Sequence, residues 1–125
     1  MSVRGVRGAT TVEVDEPELI LAATRLLLNE LMLANPGFDP DDLASVIFTV
    51  TDDINSIHPA QAARQMGWVS VPMLCAREIP VPGSLPRCIR VLVQWNTDLE
   101  QKNVRHVYLN NAVSLRPDLV GHKGN

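Results

Sequence analysis

Aromatic side chains are scarce. Two Trp, two Phe and one Tyr make up 4% of the 125 residues, which leaves no surface on which many bases could stack. Positive charge is not in excess either. Eleven Lys and Arg face fourteen Asp and Glu, for a formal net charge of −3, and this argues against general nucleic-acid binding. Cysteine is limited to Cys75 and Cys88, too few for a disulfide scaffold, so both read as reduced thiols of a cytoplasmic protein. Long apolar runs are missing. The longest stretch without a charge, Gln65 to Ala76, falls far short of the ~20 residues of a membrane span. The opening stretch MSVRGVRGATT has no apolar core of a signal peptide. Several catalytic signatures are absent as well: GxGxxG, GxxxxGK[ST], HExxH, CxxC and GxSxG. His58, His106 and His122 are too scattered to suggest a metal site.

What is present is an ordinary globular composition, 46% hydrophobic and 20% charged. The length fits one domain over residues 1–125, large enough to bury a real core, with a loose tail after Pro117. The charge is unevenly spread. Residues 1–53 hold ten acids against three bases, whereas residues 54–97 hold one acid, Glu78, against Arg64, Arg77, Arg87 and Arg90. Nine of the eleven bases are Arg, the side chain suited to forked contact with carboxylate or phosphate. The middle of an acidic chain is therefore locally positive.

The element order reads β, long α, β, short α, β, β, β. Val3–Thr11 is β-branched and Gly-containing, with Gly5 and Gly8 permitting close approach. Asp15-Glu16-Pro17-Glu18 opens a helix. Leu19, Ile20, Ala23, Leu26, Leu27 and Leu31 then recur at helical spacing until Asn35-Pro36-Gly37 stops it. Asp39-Pro40-Asp41-Asp42-Leu43 reads as one short helical turn. Ser45–Thr51 is a covered strand. A second helix starts at His58-Pro59-Ala60 and ends at Gly67. Ser70–Arg77 is a strand interrupted by Pro72, and Pro80–Pro86 is a loop. In Cys88–Asn96, Ile89, Val91, Val93 and Trp95 face one way while Cys88, Arg90, Leu92 and Gln94 face the other. Val104–Leu109 is the fifth strand. One long helix cannot cover both faces of such an α+β sheet, so the second face is expected to be buried against other copies of the chain.

Arg90 stands in mid-strand between Ile89 and Val91, where a guanidinium must find a partner or face a cavity. An ion pair with Glu78, or an edge position facing water, would satisfy it without any function. The alternative is an anion-binding group on a rigid element. Taken alone, Glu78 reads as a solvated carboxylate, Cys75 as a small core residue, Tyr108 as a core or interface residue and Arg7 as a surface charge.

Together these residues match a family. The opening Val3-Arg4-Gly5-Val6-Arg7-Gly8-Ala9-Thr10-Thr11-Val12 resembles that of the monofunctional, trimeric chorismate mutases of the AroH type. The likeness continues through His58-Pro59-Ala60-Gln61-Ala62-Ala63-Arg64, Gly67-Trp68, Val71-Pro72, Cys75 and Glu78. It ends with Cys88-Ile89-Arg90-Val91, Arg105-His106-Val107-Tyr108-Leu109 and Leu115-Arg116-Pro117-Asp118-Leu119. The resemblance spans nearly the whole chain in order.

It implies a homotrimer built as a pseudo-α/β-barrel, with helices outside and three clefts between subunits. It also implies rearrangement of chorismate to prephenate, on the route to phenylalanine and tyrosine, with no metal or other cofactor. Arg90, Glu78 and Cys75 would be the catalytic residues. Arg7, Tyr108, Leu74, Met73, Ala60, Arg64, Leu115 and Arg116 would bind substrate. Of these, Arg7, Glu78, Arg90 and Tyr108 would come from one subunit, and Cys75, Leu74, Met73, Ala60 and Arg64 from its neighbour. Leu115 and Arg116 would belong to a mobile segment that closes over the site. Three positions depart from the family pattern: His58, Gln61 and Leu74 stand where Phe, Lys and Thr are common.

The chemistry suits the composition. The substrate is a dianion, and its unimolecular rearrangement requires no nucleophile. It requires a compact conformer and stabilisation of the negative charge that develops on the ether oxygen. Two other readings stay open. A small trimeric imine or enamine deaminase would release ammonia without needing Cys75, Glu78 and Arg90 together. A non-catalytic trimer would bind the metabolite without turning it over.

Overall fold

The computed structural model describes residues 1–115. Five strands form one mixed sheet: β1 (Ser2–Thr11), β2 (Leu43–Val50), β3 (Met73–Arg77), β4 (Cys88–Thr97) and β5 (Val107–Tyr108). Their order across the sheet is β3-β2-β4-β1-β5. β4 runs antiparallel to both β1 and β2, while β3 and β5 lie parallel to β2 and β1 at the two edges. Two helices, α1 (Pro17–Ala34) and α2 (Ala60–Gln65), and three short 3-10 turns complete the described residues.

The strand period sorts side chains onto two faces. Val6, Val46, Phe48, Val91, Val93 and Trp95 point to the face covered by the helices and join Leu27, Leu28, Leu31, Ala60 and Ala63 in one core. Gly8 is what lets α1 come so close. A Cβ there would stand 3.1 Å from Leu27 Cδ1, 3.1 Å from Val91 Cγ1 and 3.3 Å from Leu31 Cδ1, so the close approach expected at this glycine is made by a helix. The end of α1 is fixed by Asn35, 1% exposed, whose side-chain amide donates to Leu31 O at 2.9 Å and to Arg105 O at 2.9 Å.

The opposite face carries Arg7 and Ala9 of β1, Ile47 and Thr49 of β2, Leu74 and Ala76 of β3, and Arg90, Leu92 and Gln94 of β4, as the register requires. Neither α1 nor α2 covers this face; the last 3-10 turn packs over Ala9 and Cys88 at one end of it, while Leu74 is 67% and Leu92 37% exposed. The sequence expectation of an open second face is met by the single chain.

Element bounds differ in three places. The third strand begins at Met73, not Ser70, because Pro72 has no amide to give to a ladder, although its carbonyl accepts from Val46 N at 3.0 Å. The second helix begins at Ala60, two residues after His58. The fifth strand shrinks from Val104–Leu109 to two residues, because side chains replace its ladder along the edge of β1. The amide of Gln101 brackets Gly5, accepting from its N–H at 2.8 Å and donating to its C=O at 2.7 Å. His106 Nδ1 accepts from Arg7 N–H at 3.0 Å. No described helix is long and apolar enough to cross a membrane, and both cysteines are free.

Candidate active site

One row across the open face assembles most of the chemistry. Thr49 lies opposite Arg90, Arg90 opposite Ala9, and Ala9 opposite Tyr108. Four strands from distant parts of the chain thus set Thr49, Arg90, Ala9 and Tyr108 side by side. Arg7 and Leu92 pair in the next row. The small Ala9 leaves room between the two large polar side chains. A cavity of about 250 Å³ opens here, walled by Arg7, Thr49, Glu78, Arg90, Leu92 and Tyr108.

Glu78 enters this cavity from the end of β3. Its own N–H donates to Val50 O at 2.9 Å, which continues the parallel register one residue past the strand and fixes where its side chain starts. The Thr49 hydroxyl donates to Glu78 Oε2, and Arg90 Nε lies 3.7 Å from the same oxygen. Both charged side chains are half-buried, 29% and 27% exposed. Arg90 Nε itself is buried and makes no hydrogen bond with the described residues. A buried guanidinium N–H without an acceptor is costly, so Arg90 is held ready to donate. Behind it lies Cys88, fully buried; burial pushes its thiol up and Arg90's charge opposes the shift, so it remains an uncharged packing group.

A second, separate cavity of about 210 Å³ lies at the β3 edge, walled by Ala60, Arg64, Met73, Leu74 and Cys75 together with His58. Met73 and Cys75 pack from the helix-covered face against the core, whereas Leu74 points to the open face. Within one chain, therefore, the two groups of expected site residues do not meet. Arg7, Glu78, Arg90 and Tyr108 share one cavity; Ala60, Arg64, Met73, Leu74 and Cys75 share the other.

Leu115 ends the last 3-10 turn and packs, with Tyr108, against Ala9, Cys88 and Ala112. Arg116 and the tail lie outside the described residues. Thr49 is the polar residue walling this cavity that the sequence reading missed. It reads as one more β-branched residue of an apolar strand, and only the β2–β4 register reveals that it faces Arg90. Arg77, counted with the basic middle, turns out to be a clip: its guanidinium donates to Thr51 O at 2.9 Å, Ile54 O at 2.7 Å and Asn55 Oδ1 at 2.9 Å.

Comparison with known proteins places this geometry. The family model for chorismate mutase type I matches residues 3–119. The chain is 62% identical over 117 residues to chorismate mutase AroH of Thermus thermophilus, covering 94% of this chain and 96% of that one. It is 44% identical over 120 residues to chorismate mutase AroH of Bacillus subtilis (strain 168), covering 95% and 94%. Among solved structures, a chorismate mutase from Clostridium thermocellum superposes with a TM-score of 0.85 at 49% identity, covering 88% of this chain and 97% of that one.

Proposed function

The chain belongs to the type I chorismate mutases, and from that membership we propose how its own residues divide the work. It is an isomerase that converts chorismate to prephenate in aromatic amino acid biosynthesis. The observation that carries the proposal is the separation of the site residues into two cavities on one chain. Each is half of a site, completed when the open sheet face of one subunit meets the β3 edge of the next in a homotrimer. Burial of Leu74, Leu92 and Ile47 at that contact removes apolar surface from water, which favours assembly.

In this reading Arg90 is the catalytic cation. As the substrate's C–O bond lengthens, negative charge gathers on the ether oxygen. A guanidinium fixed on a central strand meets that charge without having to reorganise. Glu78, oriented by Thr49, balances Arg90 in the free enzyme and accepts a hydrogen bond from the substrate's ring hydroxyl. Its negative charge also offsets the positive charge spreading over the ring. Cys75 from the neighbouring subunit reaches the same side of the ring. Arg7 and Tyr108 hold carboxylate and keep the two reacting carbons close. Arg64, with Ala60, Met73 and Leu74, closes the neighbour's wall. Residues 1–125 act as one domain, and the two free thiols suit a cytoplasmic setting.

Co-assembly tests the shared site. Arg90→Ala removes the cation from one wall, and Cys75→Asp puts a charge that repels the dianionic substrate on the other. When the two inactive variants are refolded together, some clefts inherit both intact walls and absorbance assays of chorismate loss should show activity restored. If co-refolded oligomers of confirmed mixed composition stay as inactive as the parents, each cleft is built within one subunit.

A further inference from the structure

We propose that His106 is a positioning residue for the rearrangement: its neutral imidazole, through Nδ1, holds the backbone of Arg7 and so sets where the Arg7 guanidinium stands in the cavity. The proposal deepens the reading above, in which Arg7 holds a substrate carboxylate.

The outer edge of β1 explains the need. The residues whose N–H and C=O face that edge are Gly5, Arg7 and Ala9. Gly5 is bracketed by the Gln101 amide, and Ala9 O accepts from Leu109 N at 2.9 Å. β5 is too short to reach Arg7, so the ring of His106, the residue just before β5, supplies the acceptor at 3.0 Å. An edge amide left without a partner would let the strand fray or drift. Among the described residues, Arg7 is the cavity-lining residue of β1 whose main chain is tied to a side chain in this way.

His106 is itself anchored. The Asn35 side chain accepts from Arg105 N–H at 2.9 Å and donates to Arg105 O at 2.9 Å, and it also donates to Leu31 O. Hydrogen bonds from the end of α1 thus fix the backbone of Arg105, the peptide bond carries that placement to His106, and the His106 ring passes it to Arg7. Because Nδ1 accepts, the ring proton sits on Nε2. The tie holds only while the ring is neutral, since imidazolium has no acceptor. Partial loss of solvent around a ring that stays exposed at the sheet edge, and secondarily the positive charge of Arg7, hold the His106 pKa below its ordinary value. Among the described residues, Arg7 on β1 is the charged group acting on the ring; from α1, the neutral Asn35 bonds the backbone of the neighbouring Arg105.

Two variants separate the role from mere packing. His106→Leu keeps bulk and removes the acceptor; His106→Asn places Oδ1 near the position of Nδ1 and keeps it. The expected result is a fall in kcat/KM of about tenfold to a hundredfold in His106→Leu, the usual effect of a slightly misplaced binding group, with most of the loss recovered in His106→Asn. Amide exchange at Arg7 should quicken in His106→Leu only. The wild-type rate should stay flat through the ordinary imidazole range near pH 6.5 and fall only on its acid side, more steeply than in His106→Asn. Wild-type ring nitrogen shifts give a readout independent of any variant's folding: a proton found on Nδ1 overturns the proposal. So does a His106→Leu variant with wild-type kcat/KM beside an impaired Arg7→Ala. An Arg7→Ala variant with wild-type kinetics overturns instead the substrate role of Arg7, and the purpose assigned to His106 falls with it.

Discussion

Thr49 and Arg90 stand directly opposite each other on adjacent strands and reach for the same atom. The Thr49 hydroxyl donates to Glu78 Oε2, and Arg90 Nε lies 3.7 Å from that oxygen. The carboxylate is thus held from two sides, and the threonine's side of that grip costs no positive charge. With Thr49 fixing Glu78, Arg90 does not have to collapse onto it and remains able to face a ligand.

Thr49→Val tests that relationship. The substitution keeps shape and removes one donor to a charged acceptor, worth about 1.5–3 kcal/mol. The expected outcome is a drop in kcat/KM of roughly tenfold or more, with Thr49→Ser close to wild type because the hydroxyl is retained. Steady-state kinetics showing Thr49→Val equal to wild type would remove Thr49 from the account.

Gly8→Ala tests the packing beneath the site. Its new Cβ would meet Leu27, Val91 and Leu31 at 3.1–3.3 Å, inside a core with no slack. Destabilisation of about 1–3 kcal/mol is expected from such overpacking, measured as a lowered midpoint in denaturant. An unchanged midpoint would mean that α1 can shift away from the sheet at no cost.

The positions read correctly from the sequence are those whose signal is local. A leucine period marks α1. A strict alternation marks β4. An arginine in the middle of that alternation falls on the face opposite Ile89, Val91 and Val93, as the period requires. The unread positions depend on pairing between distant segments. Nothing local in SVIFTVT says that Thr49 will lie opposite Arg90. Nothing near residue 104 says that Gln101 and His106 will do by side chain what four more residues of strand would have done by backbone. The separation of Cys75 from Arg90 is likewise a property of the sheet: alternation sends Cys75 to the helix-covered face, while the row that holds Arg90 lies on the other.

Two aspartates give a pH dependence of stability. Asp15 accepts from Asn55 N and Ser56 N at 2.9 and 3.2 Å, and Asp53 accepts from Arg87 N at 3.0 Å. The pKa of Asp15 is lowered chiefly by its hydrogen bonds to Ser56 and Asn55. For Asp53, burial alone would raise it, but hydrogen bonds from Thr51 and Arg87 outweigh that. Folded values below the unfolded one, about 3.9, mean that these carboxylates stabilise the fold above roughly pH 4 and that the benefit is lost as pH falls through their folded values. Thermal midpoints should therefore fall between about pH 5 and pH 3. An Asp15→Asn, Asp53→Asn double variant should start lower at neutral pH and change less across that window. A double variant with the wild-type slope would show that other groups govern acid stability.

The steady-state kinetics of Arg90→Lys with chorismate bear most directly on Arg90. The charge that Arg90 meets exists on the ether oxygen only in the transition state, and a lysine keeps the positive charge while losing the planar fork and its fixed placement. The expected result is a fall in kcat of roughly a hundredfold or more, with a smaller change in KM. A variant with kcat near wild type and only KM raised would contradict it, and would make Arg90 a group that binds the dianion without driving its rearrangement.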